Sequence, residues 1–387
     1  MEKVYLDFNA STPLAPEVIE VMKPLLTDYF GNPSALHWAG KPVQNLLHNA
    51  RRQVAELIGA KENEIIFTSG GSEANNLALK GIYFQNPEKR KHIITAKIEH
   101  PAIISPCRFL ERLGARVTYV GVDTNGRVLL EEIEKAITTD TILISIMHAN
   151  NETGTFQPIK EIGEIASKHG IIFHTDASQS IGKVNVNVED LKVDMLTIAG
   201  HKLYAPKGIG ALYIKDGIKL EPLIHGAGHE YGLRAGTENT LLAVALGKAC
   251  ELAKKPNVMI KELTDYLWQR LKNEFAANVQ LNGHPTERLP NTLNVSFVGL
   301  VGAELLRAIP YLAASTGSAC HSGSIELSPV LKEMGVTEKA GMGAVRFSLG
   351  RGTTKEEIDR VVESLKMVVK KDMSSSLTLT EENIKGL

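Results

Sequence analysis

The sequence predicts an α/β fold with a mostly parallel sheet covered on both faces by helices, and three observations carry that expectation. Apolar strand-like runs alternate with helical patterns from residue 64 to residue 202. After Thr237 the rhythm changes to two long helical runs, followed by shorter elements of a smaller α+β unit. The length, 387 residues, suffices for two or three units and at least one full core.

Taken in order, Val4-Tyr5-Leu6 reads as a strand. Residues 64–68 form a buried-type strand that leads into a helix over 72–83. The pattern repeats with strand 92–95 before helix 102–113, strand 117–120 before helix 130–137, and strand 141–147 before helix 159–169. Strand 171–175 is followed by Asp176, and the next strand runs from Leu196 to the Gly200-His201-Lys202 turn. Helices then cover 239–254 and 259–275. The expected division is an N-terminal segment 1–14 packing on the small domain, a large domain 15–256, a small domain 257–373 and a loosely held tail 374–387.

Composition excludes several classes. Lys and Arg number 43 against 44 Asp and Glu, a formal charge of −1, so no basic field exists to hold nucleic acid. Hydrophobic residues at 43% and charged residues at 22% are those of a globular chain rather than a disordered one. The longest run without a charged residue, 308–325, is broken by Pro310, Gly317 and Gly323, which suits loop and strand better than a membrane span. The chain starts Met-Glu-Lys without an apolar leader, and its three cysteines, Cys107, Cys250 and Cys320, contain no CxxC; both features lead us to expect a reducing, cytoplasmic setting.

Chemistry concentrates at strand ends. Thr68-Ser69-Gly70-Gly71-Ser72-Glu73 lies between a strand and a helix, where flexible glycines and a hydroxyl meet the positive end of a helix dipole. It suits one phosphate, or equally an ordinary helix N-cap at Ser72. Asp176, with Gln179 three residues on, places polar groups where open α/β sheets bind ligands. Lys202 follows another strand, beside His201, and could form an imine. An anion cradle, a carboxylate for a pyridinium nitrogen and an imine-forming lysine are together what pyridoxal phosphate requires. His100, after a further strand, could stack on such a ring. His225 and His229 share the spacing of a helical zinc pair, but flanking glycines and the lack of further ligands argue for no metal. Cys320 sits among small polar residues, as in an exposed mobile loop with a reactive thiol, whereas Cys107 and Cys250 read as packing residues.

These residues resemble the NifS-like (class I) cysteine desulfurases, fold-type I pyridoxal-phosphate enzymes of the class V aminotransferase superfamily. The resemblance runs through Val4-Tyr5-Leu6-Asp7, Gly31-Asn32-Pro33-Ser34, 68–76, Glu99-His100, 148–154, 176–179, Gly200-His201-Lys202, Arg234-Ala235-Gly236-Thr237, Gly317-Ser318-Ala319-Cys320 and 346–351. It implies a large domain with a seven-stranded sheet, a smaller α+β domain and an obligate homodimer with shared sites. It also implies Lys202 as Schiff-base lysine, Asp176 at the pyridinium nitrogen, Gln179 on the phenolic oxygen and His100 on the ring. Asn151 would lie beside ring oxygen and substrate carboxylate. Gly71, Ser72 and His201, joined by Thr237 from the neighbouring subunit, would hold the phosphate, and Arg346 the carboxylate of L-cysteine.

The implied reaction releases L-alanine and leaves a persulfide on Cys320 for a partner such as an iron–sulfur scaffold or another sulfur acceptor. His321 and the bound substrate are candidates for taking the thiol proton. Two departures stand out. Ala199 replaces a serine that usually donates to phosphate, so one contact is expected to be lost or compensated by a water, and Ala227 replaces a loop glycine. Ala319-Cys320-His321-Ser322 and 328–331 also resemble selenocysteine lyase, which stands as the alternative. A plain aminotransferase, for which Cys320 would be incidental, and a non-enzymatic scaffold are weaker readings.

Overall fold

The computed structural model describes residues 2–86, 91–255, 258–316, 318–321 and 324–384, and for 317–325 and beyond residue 370 it describes the backbone at most. Two compact units emerge, one of residues 11–151 and 155–256, the other of residues 1–10, 152–154 and 257–387.

The larger unit is built on a seven-stranded sheet. From one edge to the other its strands are Ile65–Thr68, Gly210–Ile214, Met195–Ala199, Ile172–Asp176, Thr141–Ser145, His92–Ala96 and Arg116–Val120. All run in one direction except Gly210–Ile214, which is antiparallel to both neighbours. The central strands are buried along their whole length, which is why they read as continuous apolar runs instead of alternating ones. Helices Gly71–Gln85 and Pro101–Arg112 cover part of this sheet through a core that includes Ile66, Leu77, Ile93, Leu110 and Leu143. Cys107 belongs to that core and Cys250 is likewise buried; burial pushes the Cys107 thiol up to about 12, so neither is poised as a nucleophile.

Boundaries follow backbone chemistry. Helix Ile159–His169 ends where Gly170 turns left-handed at φ +64°, a conformation that favours glycine. Ser72 is not the helix cap: the helix begins at Gly71, and Gly70, at φ +146°, is the residue before it. Asp176 is the last residue of its strand rather than the first beyond it.

The smaller unit holds a four-stranded antiparallel sheet in the order Ser315–Thr316, Ala344–Ser348, Thr292–Phe297 and Val279–Asn282. The N-terminal strand Val4–Tyr5 pairs in parallel with Leu312–Ala313. Val4, Leu6, Leu267, Leu271, Val295, Phe347 and Leu365 share its core. The run 152–154 joins this unit, with Leu289 N–H donating to the Gly154 carbonyl at 2.9 Å and Asn294 Nδ2 donating to the Glu152 carbonyl at 3.2 Å.

In the uncharged run 308–325, where the sequence led us to expect loop and strand with Cys320 on a mobile loop, Leu312–Ala313 and Ser315–Thr316 are short strands and the backbone of Ser318–His321 pairs antiparallel with Ser324–Leu327. The last helix, Lys355–Ile384, runs through the expected tail, which has no proline or glycine before Gly386 to stop it. Among the described residues no helix is long and apolar enough to cross a membrane.

Candidate active site

The carboxyl edge of the parallel strands gathers most of the residues singled out above. Strand Ile65–Thr68 delivers the cradle, His92–Ala96 leads to His100, Thr141–Ser145 to Asn151, Ile172–Asp176 ends in Asp176, and Met195–Ala199 leads to the single turn Gly200–Lys202. Because neighbouring parallel strands end at the same edge, five separate stretches of sequence converge there.

At the cradle, no side chain caps the helix that starts at Gly71, so its first-turn N–H groups remain donors toward the sheet edge. A Cβ on Gly71 would come within 3.1 Å of Ser178 Oγ and 3.3 Å of the Ala199 Cβ, so glycine keeps this space open. Asp176 is 8% exposed, and both of its oxygens accept hydrogen bonds, from Asn75 Nδ2 at 2.7 Å and from Ser178 N–H at 2.9 Å. Those donors fix the carboxylate's orientation and satisfy it in a buried setting.

His100 caps helix Pro101–Arg112 by accepting the Ala102 N–H on Nδ1 at 3.1 Å, which puts the proton of the neutral ring on Nε2. Solvent reaches this ring, yet protein crowds it enough that its pKa is lowered, chiefly by desolvation; the charge of Asp176 acts to raise it and that of Lys202 to lower it. His201 is lowered further, to about 4, by desolvation and then by the charges of Lys202, Lys207 and His100. These effects place Asp176 and Lys202 within electrostatic reach of His100, and Lys202 and His100 within reach of His201. Lys202 is half-buried. Gln179 is buried and accepts from Lys183 Nζ at 3.0 Å. Asn151 is half-buried, next to Asn150, which is anchored to the Ile98 carbonyl at 3.2 Å.

A model of the class-V aminotransferases matches residues 4–361. A cysteine desulfurase IscS from Dictyoglomus turgidum is 48% identical over 375 residues, covering 95% of each chain. The chain belongs to the NifS-like cysteine desulfurases of the class-V aminotransferase family. Another member of the family, the cysteine desulfurase IscS of Methanosarcina thermophila, is 49% identical over 95% of this chain and 92% of its own. Among solved structures, a NifS-like protein superposes with a TM-score of 0.88 at 35% identity, covering 95% of this chain and 99% of that one. A structure described as SspA in complex with cysteine gives a TM-score of 0.81 at 42% identity, over 89% and 98% of the two chains.

Enzymes of this family depend on pyridoxal phosphate, and the donor set here fits that cofactor. An uncapped helix start kept open by Gly71 suits its phosphate, and a doubly hydrogen-bonded buried carboxylate suits its ring nitrogen. Lys202 belongs to the same unit, within electrostatic reach of His100 and His201. Ser178, Asn75 and Glu99 are part of this edge and carried no role in the sequence reading. Asn75 lies one helical turn after Gly71, a spacing that could have revealed it. Glu99 is buried, accepts the Met147 N–H at 2.7 Å, and has its pKa raised well above the carboxylate range by desolvation and, opposed by that hydrogen bond, by the charge of Asp176. Ser178 lies in the 176–179 stretch without a role of its own there; the fold sets its hydroxyl, like the Ala199 Cβ, at the border of the space that a Gly71 side chain would fill.

The remaining residues belong to other elements. Thr237 is exposed and lines a cleft of about 250 Å³ with Thr68 and Ser69; its loop is tied down by Arg234 Nε, which donates to Glu73 at 3.1 Å. Arg346 belongs to the smaller unit, on strand Ala344–Ser348. Cys320 lies on strand Ser318–His321, and its side chain is outside the described residues. His225 and His229 fall in irregular backbone, so the helical spacing that suggested zinc does not apply. Among the described residues no group of three or more His, Cys, Asp or Glu could hold a metal.

Proposed function

We propose that this chain, as a cysteine desulfurase, turns L-cysteine into L-alanine with Lys202 as the cofactor-bearing lysine and Cys320 as the sulfur acceptor. The observation that carries the assignment is the joint presence, on one sheet edge, of the Gly71 cradle, the anchored Asp176 carboxylate and Lys202. Pyridoxal phosphate, when bound, supplies an electron sink that weakens the bonds at the substrate's Cα and Cβ.

The chain's own residues do the rest. Gly71, Ser72 and His201 would hold the phosphate, Ser178 Oγ, which borders the Gly71 turn, would add a hydroxyl, and Thr237 would contribute from a second subunit. Asp176 would hold a proton at the ring nitrogen, Gln179 and Asn151 would engage the ring oxygen, and the His100 ring would pack on the cofactor. Arg346 grips the substrate carboxylate with a fork that lysine lacks. Lys202 would take the Cα proton and later return a proton to carbon. Cys320 Sγ, as thiolate, attacks the substrate sulfur: the S–S bond forms, the Cβ–S bond breaks with its electron pair passing to carbon, and two protons complete alanine and the persulfide. The sum is L-cysteine plus the Cys320 thiol giving L-alanine plus the Cys320 persulfide. That persulfide passes to an acceptor protein in the cytoplasm.

A second copy is supported by exposed apolar surface. Leu36 and Trp38 are 81% and 80% exposed, and Trp38 stands edge-on to the exposed Phe30 at 6.5 Å, surface that water disfavours and a homodimer would cover.

The test compares the native protein with Lys202→Ala and Cys320→Ala, measuring alanine from cysteine and selenocysteine, protein-bound persulfide and borohydride trapping of the cofactor. Lys202→Ala should lose trapping, and Cys320→Ala should lose persulfide and at least about tenfold in turnover of cysteine. Persulfide retained in Cys320→Ala would overturn the acceptor assignment, and a strong preference for selenocysteine would turn the reading to a lyase.

A further inference from the structure

We propose that Asp7 is a positioning residue for substrate recognition, holding the Arg346 guanidinium, together with Ser315, in the orientation that receives a carboxylate. The inference rests on the reading of Arg346 given above and assigns a role to an N-terminal residue that the reaction itself does not use.

The three side chains close a triangle. Arg346 Nη2 donates to Asp7 Oδ1 at 2.8 Å and to Ser315 Oγ at 3.0 Å, and Ser315 Oγ donates to the same Asp7 oxygen at 2.8 Å. Each corner is set by backbone pairing and not by a chance surface contact. Asp7 forms a parallel bridge to Ser348, with Ser348 N–H donating to the Leu6 carbonyl at 2.8 Å. Ser315 and Arg346 are direct register partners across an antiparallel strand pair. The register of two strand pairs therefore delivers one carboxylate and one hydroxyl to the same guanidinium nitrogen.

A guanidinium at 8% exposure needs a counter-charge, and Asp7 supplies it at contact distance. Glu152 faces the same cation: desolvation raises its carboxyl, while Ser328 and Arg346 draw it down. The contacts to Asp7 and to Ser315 both use Nη2, so they hold the fork by that corner. A long arginine would otherwise have to be ordered each time a carboxylate bound; here that ordering is done in advance. Asp7 is acidic and could instead compete with an incoming carboxylate, and the two roles predict opposite changes in affinity.

The experiment uses the cofactor-loaded protein and spectroscopic titration with L-alanine and with ethylamine, which is alanine without its carboxylate, alongside steady-state turnover of cysteine. Asp7→Ala should weaken alanine binding and raise KM for cysteine by about tenfold while kcat changes less than about twofold. Asp7→Asn, which keeps a neutral acceptor for Nη2, should lose less, and ethylamine binding should stay unchanged in both. Alanine binding that is unchanged or tighter in Asp7→Ala overturns the proposal, tighter binding marking Asp7 as a competitor. Ethylamine weakened as much as alanine also overturns it, as a general structural effect. Arg346→Lys separates the two layers: if it leaves alanine affinity intact, the reading of Arg346 fails and the role of Asp7 falls with it.

Discussion

At the scale of residues, the sheet edge depends on buried polar groups whose protonation the fold dictates. His148 is buried, with Nδ1 at 2.8 Å from Ser180 Oγ and its ring against Phe156, and desolvation lowers its pKa to about 4. In the unfolded chain the same group titrates near 6.5. Between those values the unfolded state binds a proton that the folded state refuses, so stability is lost as pH falls through this window. The loss from His148 amounts to about 3 kcal/mol by pH 4. His174, between Ser145 and Thr197 hydroxyls, is also lowered by burial and acts in the same direction. We expect His148→Gln to flatten the acid limb: denaturant midpoints at pH 7.5 and 4.5 should differ less than in the native protein, and an equal or larger difference would refute the buried neutral ring. None of this was legible in the sequence, where the His148 run entered only as part of a family motif, because desolvation is a property of what packs around a residue and not of its neighbours in the chain.

At the scale of elements, the phosphate cradle is held in place by a buried ion pair that sequence spacing could not reveal. Arg51, on helix Gly40–Ile58, forms a bidentate pair with Glu230, both contacts at 2.7 Å, and also donates to the Ile65 carbonyl. Glu230 in turn accepts the Phe67 N–H at 2.8 Å, and its loop passes through positive φ at Glu230 and Tyr231, +48° and +57°. One helix, one strand and one strained loop are thereby locked together just before Thr68. Arg51→Met should leave the Glu230 carboxylate buried without its partner and cost about 3–5 kcal/mol in denaturant unfolding. Adding Glu230→Gln, which still accepts the Phe67 N–H, should recover much of that loss; no recovery would show that packing and not charge carries the effect. The strands and helices themselves were plain in the sequence, since continuous apolar runs and turn residues encode them locally. Arg51 and Glu230 are 179 positions apart, and nothing in either neighbourhood announces the other.

At the scale of the whole molecule, the proposed sharing of Thr237 between subunits makes a complementation prediction. Lys202→Ala and Thr237→Ala proteins, each deficient alone, should on subunit exchange yield heterodimers with one intact site and one doubly defective site. About a quarter of native activity is then expected for random reassortment, and a mixture no better than its parents would show that Thr237 serves its own chain. The sequence by itself determined the α/β class, the order of strands and helices, the family, and the residue types a pyridoxal-phosphate site requires, because local patterning and short motifs are written in adjacent residues. Only the tertiary structure decided that Gly70 and not Ser72 precedes the helix, that Asn75 anchors Asp176, that Ser178 and Ala199 both border the Gly71 turn, and that Asp7 meets Arg346. The last three bring together segments distant in the chain, through strand register and burial, and such approaches exist only once the chain has folded.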